Sequence, residues 1–117
     1  MSQWKLYHNP QCSKSREALQ LLEAQELDFQ VVEYLKNPLS VNELKELIGQ
    51  MKDPVSSLVR VKEVEFVENP FDVSSVDEVA QHLSLKPRLM ERPLLQGNGR
   101  AVIGRPLENF TELLKNN

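Results

Sequence analysis

The chain contains one cysteine, and its surroundings are chemically unusual: YHNPQCSKSRE, residues 7–17. Cys12 follows an Asn9-Pro10 turn signal and stands directly before a stretch of helical periodicity. A free thiol has a pKa of about 8.5 and is mostly protonated at neutral pH. A helix N-terminus lowers that value, because its unpaired N–H groups and its dipole favour an anion. A lone cysteine is often only a small buried hydrophobe. The end of a first strand in an α/β chain, however, is where ligands gather, so a thiolate nucleophile is the expectation for Cys12. His8, four residues upstream, has two readings. It could stabilise the thiolate as an imidazolium or as a neutral donor, or it could simply cap the loop. Ser13, Lys14, Ser15 and Arg16 also have two: a capped, solvated first turn, or an anion cradle of N–H groups, hydroxyls and two cations.

Two spacings bear on the chemistry. A cysteine phosphatase loop needs an arginine six positions after the cysteine, and Ala18 stands there. Cys12-Ser13-Lys14-Ser15 does have the C-x-x-S spacing of one-thiol glutaredoxins, although a four-residue pattern arises easily by chance. One cysteine cannot close an internal disulfide, which argues against a disulfide-stapled secreted scaffold and a cysteine zinc cluster. A cytoplasmic protein with no metal is therefore expected, and any redox chemistry at Cys12 must borrow its second thiol from another molecule.

The elements that must position this thiol can be read along the chain. Trp4 to Tyr7, WKLY, is a short apolar run closed by Asn-Pro and reads as a buried strand. Ala18, Leu19, Leu21 and Leu22 share one face of a helix running from Ser13 to about Glu26. DFQVVEYL is β-branched and aromatic, a second strand. Strand, helix and strand in so short a span make a right-handed βαβ unit with parallel strands. Residues 36–90 read as mostly helical. Ser40 and Glu43 fit a capping box, with Leu44, Leu47 and Ile48 behind it and Gly49 as a stop. Asp53-Pro54 reads as an N-cap with proline at the first helical position, and Ser75 and Glu78 as a second capping box. Residues 59–72 fit helix and strand in different parts. PLLQ and RAVIG are strands joined through Gly97-Asn98-Gly99, the strongest short hairpin signal. Arg105-Pro106 then opens a last helix carrying Leu107, Phe110, Leu113 and Leu114.

The order is βαβ, helices, ββα, in one expected domain over 1–117. The 117 residues suit one core, and 40% hydrophobic with 26% charged residues is ordinary for a globular protein. A net charge of −3 offers no basic field for nucleic acid. No apolar run approaches the roughly 20 residues of a membrane helix, and residues 1–11 lack the apolar core of a signal peptide.

Several segments together resemble a known family. HNPQCSKSR is similar to the H-N-P-x-C-x-x-S-R loop of the glutathione- and glutaredoxin-coupled arsenate reductases, the ArsC family. LVRVKE resembles that family's arginine-bearing segment, ERPLL its R-P-[IL] segment, and GRAVIGRP its closing hairpin and R-P start. The segments follow family order from residue 5 to 114. The resemblance implies a thioredoxin/glutaredoxin-like core, a mixed four-stranded sheet with a helical insertion. It implies Cys12 as nucleophile, Arg60, Arg92 and Arg105 as oxyanion ligands, and a cis Arg92-Pro93 peptide facing the thiol. It further implies arsenate or a similar oxyanion as substrate, glutathione as co-substrate, glutaredoxin as partner and no tightly bound cofactor. The chemistry is coherent, since a tetrahedral oxyanion repels a thiolate unless guanidinium forks neutralise it.

One departure stands out: many members carry Gly-Thr after the cysteine, where this chain has Ser13-Lys14. The CSKSRE form resembles a YfgD-like subgroup. Two further functions remain compatible with the residues. One is a redox-linked regulator of RNA polymerase, although Ser15 stands where the second thiol of a C-x-x-C switch would be. The other is a non-catalytic protein that binds glutathione or an anion.

Overall fold

A computed structural model describes residues 3–115. Four strands form one sheet in the order β2-β1-β3-β4: β1 (Trp4–Tyr7), β2 (Phe29–Val32), β3 (Leu94–Gly97) and β4 (Arg100–Ile103). β1 runs parallel to β2, and the β1–β3 and β3–β4 pairs are antiparallel. The crossover from β1 to β2 is α1 (Ser13–Ala24). Between β2 and β3 lie α2 (Val41–Gln50), α3 (Val64–Glu68) and α4 (Val76–Leu85), with 3-10 turns at Val55–Leu58 and Pro87–Leu89; α5 (Glu108–Lys115) ends the described chain.

The two-residue period of the strands divides the core in two. Leu6 and Leu95 are register partners, both sealed from solvent, and pack with Ala18 and Leu22 of α1 and with Phe110 and Leu113 of α5. Tyr7, Leu94 and Ile103 are the next partners along and face the opposite side, against Leu44 and Leu47 of α2 and Val79 and Leu83 of α4. Each fully buried leucine is worth about 1.5–3 kcal/mol of transfer free energy. The insertion thus covers one sheet face, and α1 with α5 covers the other.

The local signals held where their chemistry is short-range. Ser40 accepts from the Glu43 N–H and Glu43 accepts from the Ser40 N–H, a closed capping box. Asn98 and Gly99 both adopt positive φ, 52° and 75°, as the two-residue hairpin turn demands. Several expectations are corrected. Gly49 does not stop α2, which runs on to Gln50, with Met51 bridging to Ala101 beside β4. Pro54, not Asp53, flanks the Val55–Leu58 turn, so proline is not at its first helical position. The Ser75 box is half closed: Ser75 accepts from the Glu78 N–H, while the Glu78 carboxylate accepts from the Asp72 N–H. Residues 59–72 hold a Val59–Met90 bridge followed by the short α3. Arg105-Pro106 does not begin the last helix, which starts at Glu108. Its peptide is cis, like that of Arg92-Pro93; the second cis bond was not anticipated.

Gly97 ends β3 against Trp4. A Cβ there would lie 2.3 Å from Trp4 Cε3 and 2.8 Å from the Gln3 carbonyl oxygen. Overpacking of this kind costs about 1–3 kcal/mol, and a backbone obstacle cannot rotate away. Gly97→Ala is therefore expected to lower the thermal midpoint by several degrees, measured by far-UV circular dichroism. An unchanged midpoint would contradict the packing described.

Candidate functional site

β1 delivers the chain to the site. The His8 N–H continues the sheet by donating to the Val32 carbonyl at 2.9 Å. The chain then turns on itself. The Cys12 N–H donates to the Asn9 carbonyl, the Gln11 N–H to Asn9 Oδ1, and the Asn9 N–H to Ser15 Oγ. Arg16 Nη1 holds the Pro10 carbonyl at 2.9 Å. The loop is over-determined by local hydrogen bonds, and it presents Cys12 as the N-cap residue of α1, in extended backbone.

Cys12 is part-exposed. Burial, the largest single influence, pushes its thiol up. The Ser15 N–H, the Arg92 charge, the Lys14 N–H and a hydrogen bond from Arg92 together outweigh it, so the thiol lies below its ordinary value. The two N–H groups act across the first turn without the geometry of a full cap hydrogen bond. Arg105 Nη2 approaches the sulfur at 3.8 Å. The alkylation midpoint of Cys12 with iodoacetamide is accordingly expected to fall below that of a free thiol, about 8.5. A midpoint at or above that of glutathione under the same conditions would remove the activated thiolate.

A cleft of about 300 Å³ opens beside the sulfur, lined among others by Asn9, Tyr34, Arg60, Arg88 and Arg92. Arg60 is held by Glu63 at 3.3 Å and donates from Nη1 to the Arg88 carbonyl at 3.0 Å. Arg92 follows the Glu91 carboxylate, 3.2 Å from its Nη1, and keeps a buried Nε without a hydrogen-bond partner. Arg105 comes from beyond β4. Its Nε donates to the Arg92 carbonyl at 2.7 Å, and the Gly104 N–H donates to the Pro93 carbonyl at 2.9 Å. Those two bonds tie the Arg92-Pro93 and Arg105-Pro106 segments side by side. A Cβ on Gly104 would meet the Phe110 ring at 2.8 Å, so glycine permits this approach. Arg60 and Arg92 also line an adjoining cleft of about 370 Å³ with Lys62, Glu91 and Arg105.

The remaining residues expected at the site are placed as follows. Ser15 is fully buried, and its hydroxyl serves the loop by accepting from Asn9. Ser13 is exposed at the first position of α1. The Lys14 ammonium pairs with Glu17 at 3.6 Å and borders a separate groove beside Arg105, Pro106 and Glu108. The Arg16 guanidinium is committed to Pro10. The first turn therefore gives the thiol its N–H groups, while the Ser15 hydroxyl, the Lys14 ammonium and the Arg16 guanidinium are engaged with Asn9, Glu17 and Pro10. His8 is buried, with Nδ1 lacking a hydrogen-bond partner. Burial pushes its pKa down and outweighs the opposing effects of Glu33 and the Ser15 backbone, with Arg16 adding the smallest downward influence. It is a neutral strand-end residue at pH 7, and it is not among the groups that shift the Cys12 thiol.

Three participants escaped the sequence reading. Tyr34 lines the Cys12 cleft and is 1% exposed. Its phenol is pushed up to about 12 by burial, against the lowering effects of Arg92 and Arg60, and so stays protonated. Glu63 and Glu91 pair with the arginines. Only the adjacency of Glu91 to Arg92-Pro93 signalled any of this. Among the described residues no group of three or more His, Cys, Asp or Glu could hold a metal ion, and no helix is long and apolar enough to cross a membrane.

Comparison with known proteins bears on the family and the fold. A family model described as the ArsC family matches residues 7–113. An arsenate reductase of Neisseria meningitidis serogroup B is 38% identical over 117 residues, covering 97% of this chain and 100% of that protein. An uncharacterized Escherichia coli protein, YfgD, is 41% identical over 115 residues, covering 96% and 97%. A solved structure of an arsenate reductase from Vibrio cholerae superposes with a TM-score of 0.83 at 40% identity, covering 93% of this chain and 95% of that one. The fold is thioredoxin-like, with the insertion between β2 and β3.

Proposed function

The chain belongs to the ArsC family, and from that premise we propose that it is a thiol-dependent reductase of arsenate or a closely similar tetrahedral oxyanion. The observation that carries the reading is the placement of a part-exposed Cys12 at the start of α1, with Arg60 and Arg92 lining its cleft and Arg105 reaching the sulfur. The thiolate attacks the central arsenic atom, an As–S bond forms, and one oxygen leaves as water once protonated. The arginines and the N–H groups of Lys14 and Ser15 hold the negative charge as it redistributes. A second thiol then attacks. Two thiols are oxidised to a disulfide, arsenic(V) gains their two electrons, and arsenite departs.

With one cysteine in the chain, the second thiol comes from outside. We assign it to glutathione, with glutaredoxin reducing the resulting mixed disulfide. The cytoplasm is the compartment that keeps such thiols reduced. The test is a coupled assay with arsenate, glutathione, glutaredoxin, glutathione reductase and NADPH. NADPH oxidation that depends on arsenate and on this protein is expected. Its absence with arsenate and with other tetrahedral oxyanions would leave binding without turnover, and the reading would fail.

A further inference from the structure

Glu91 lines the adjoining cleft with Arg60, Lys62, Arg92 and Arg105, and it does not line the cleft of Cys12. One of its oxygens, Oε1, accepts from the Arg92 N–H at 3.2 Å and from Arg92 Nη1 at 3.2 Å, and forms an ion pair with Arg105, 3.4 Å from Nε. Arg105 in turn reaches the sulfur through Nη2, and Arg92, which lines the same cleft as Cys12, lowers the thiol's pKa. Two guanidinium groups placed this close repel each other unless an anion stands between them. Exposed ion pairs contribute little; the Glu91 and Arg92 side chains are only 24% and 18% exposed, so solvent screens that pair weakly, whereas Arg105 is 37% exposed and its pairing is screened more.

We propose that Glu91 is a positioning residue that anchors Arg92 and Arg105 from the side away from Cys12 and so sets how firmly the site holds an oxyanion. The contact has two separable parts. Its acceptor oxygen fixes the direction of both guanidinium groups, and its charge subtracts from the positive field they present. Glu91→Ala removes both parts, whereas Glu91→Gln keeps an acceptor and removes only the charge. The proposal deepens the reading given under Proposed function and rests on it for the identity of the substrate.

The experiment is calorimetric titration of arsenate and of sulfate into the wild-type, Glu91→Ala and Glu91→Gln proteins, with the Cys12 alkylation midpoint and turnover measured on each and thermal unfolding as a folding control. In Glu91→Ala, anion affinity and turnover are expected to fall by about tenfold or more, as misplacement of binding groups does elsewhere, and the alkylation midpoint to rise. In Glu91→Gln, affinity is expected at or above wild type, the midpoint at or below it, and turnover recovered toward wild type. Unchanged affinity and midpoint in folded Glu91→Ala protein, or an equal loss in both variants, would overturn the proposal. The alkylation midpoint needs no bound ligand. If arsenate is never turned over, the functional reading fails while the role of Glu91 is still decided.

Discussion

Cys12→Ser protein is expected to lose oxyanion reduction by at least about a thousandfold while keeping its fold. A serine hydroxyl is a nucleophile only when a neighbouring base takes its proton, and the carboxylates lining the two clefts, Glu63 and Glu91, are paired with arginines. His8, the nearest imidazole in sequence, is buried and has no described contact with residue 12. The N–H groups of Lys14 and Ser15, with Arg92, lower the pKa of a thiol, but a hydroxyl starts far too high for them to ionise it. Stability should not suffer. Cys12 is part-exposed at the N-cap of α1, where serine is among the preferred residues, so the unfolding midpoint should be equal to or slightly above wild type. The paired measurement is arsenate-dependent turnover beside thermal unfolding. Turnover surviving in a folded Cys12→Ser protein would end the covalent mechanism.

Arg92→Ala is expected to cost about two to three orders of magnitude in turnover, the range seen when one preorganised donor is removed from a charge-stabilising site. Arg92 touches more of the site than any other cation. It lines both clefts, lowers the Cys12 thiol by charge and by hydrogen bond, and lowers the Tyr34 phenol. The sign for the thiol follows directly. With Arg92 gone, the upward push of burial on Cys12 remains, so the alkylation midpoint should rise and the reactive fraction at neutral pH should fall. Arg92→Lys restores charge but not the planar fork, and is expected to recover the midpoint more fully than the turnover. A normal rate in Arg92→Ala would mean that oxyanion binding is centred elsewhere.

Much of the scaffold was legible in the sequence because its signals are local. WKLY forms β1 residue for residue, Ser40 and Glu43 close their box, and Asn98-Gly99 makes the hairpin turn. The box and the turn depend on partners a few residues away, whose geometry is available before any tertiary contact forms, and WKLY carries its own strand preference although its pairing partners in β2 and β3 are distant. Two of the misread points lie where the segment meets a distant neighbour. Gly49 should end a helix, yet α2 continues to Gln50 and leads Met51 to its bridge with Ala101. Pro106 should open a helix, yet its segment is drawn to Pro93 by the Gly104 hydrogen bond, and α5 begins later.

At the site the division is sharper. The sequence by itself determined where the thiol stands and the means of lowering its pKa, because Cys12, the turn before it and the helix after it are contiguous, and an N-terminal N–H points at the N-cap whatever the rest of the chain does. Tertiary structure alone decided which cations reach the sulfur. Lys14 and Arg16 are nearest in sequence and turn away to Glu17 and Pro10, while Arg92 and Arg105 arrive from the far end of the chain, with Glu91 between them. Long charged side chains can swing over several ångströms, and their direction is fixed by whichever carboxylate or carbonyl the fold brings within reach.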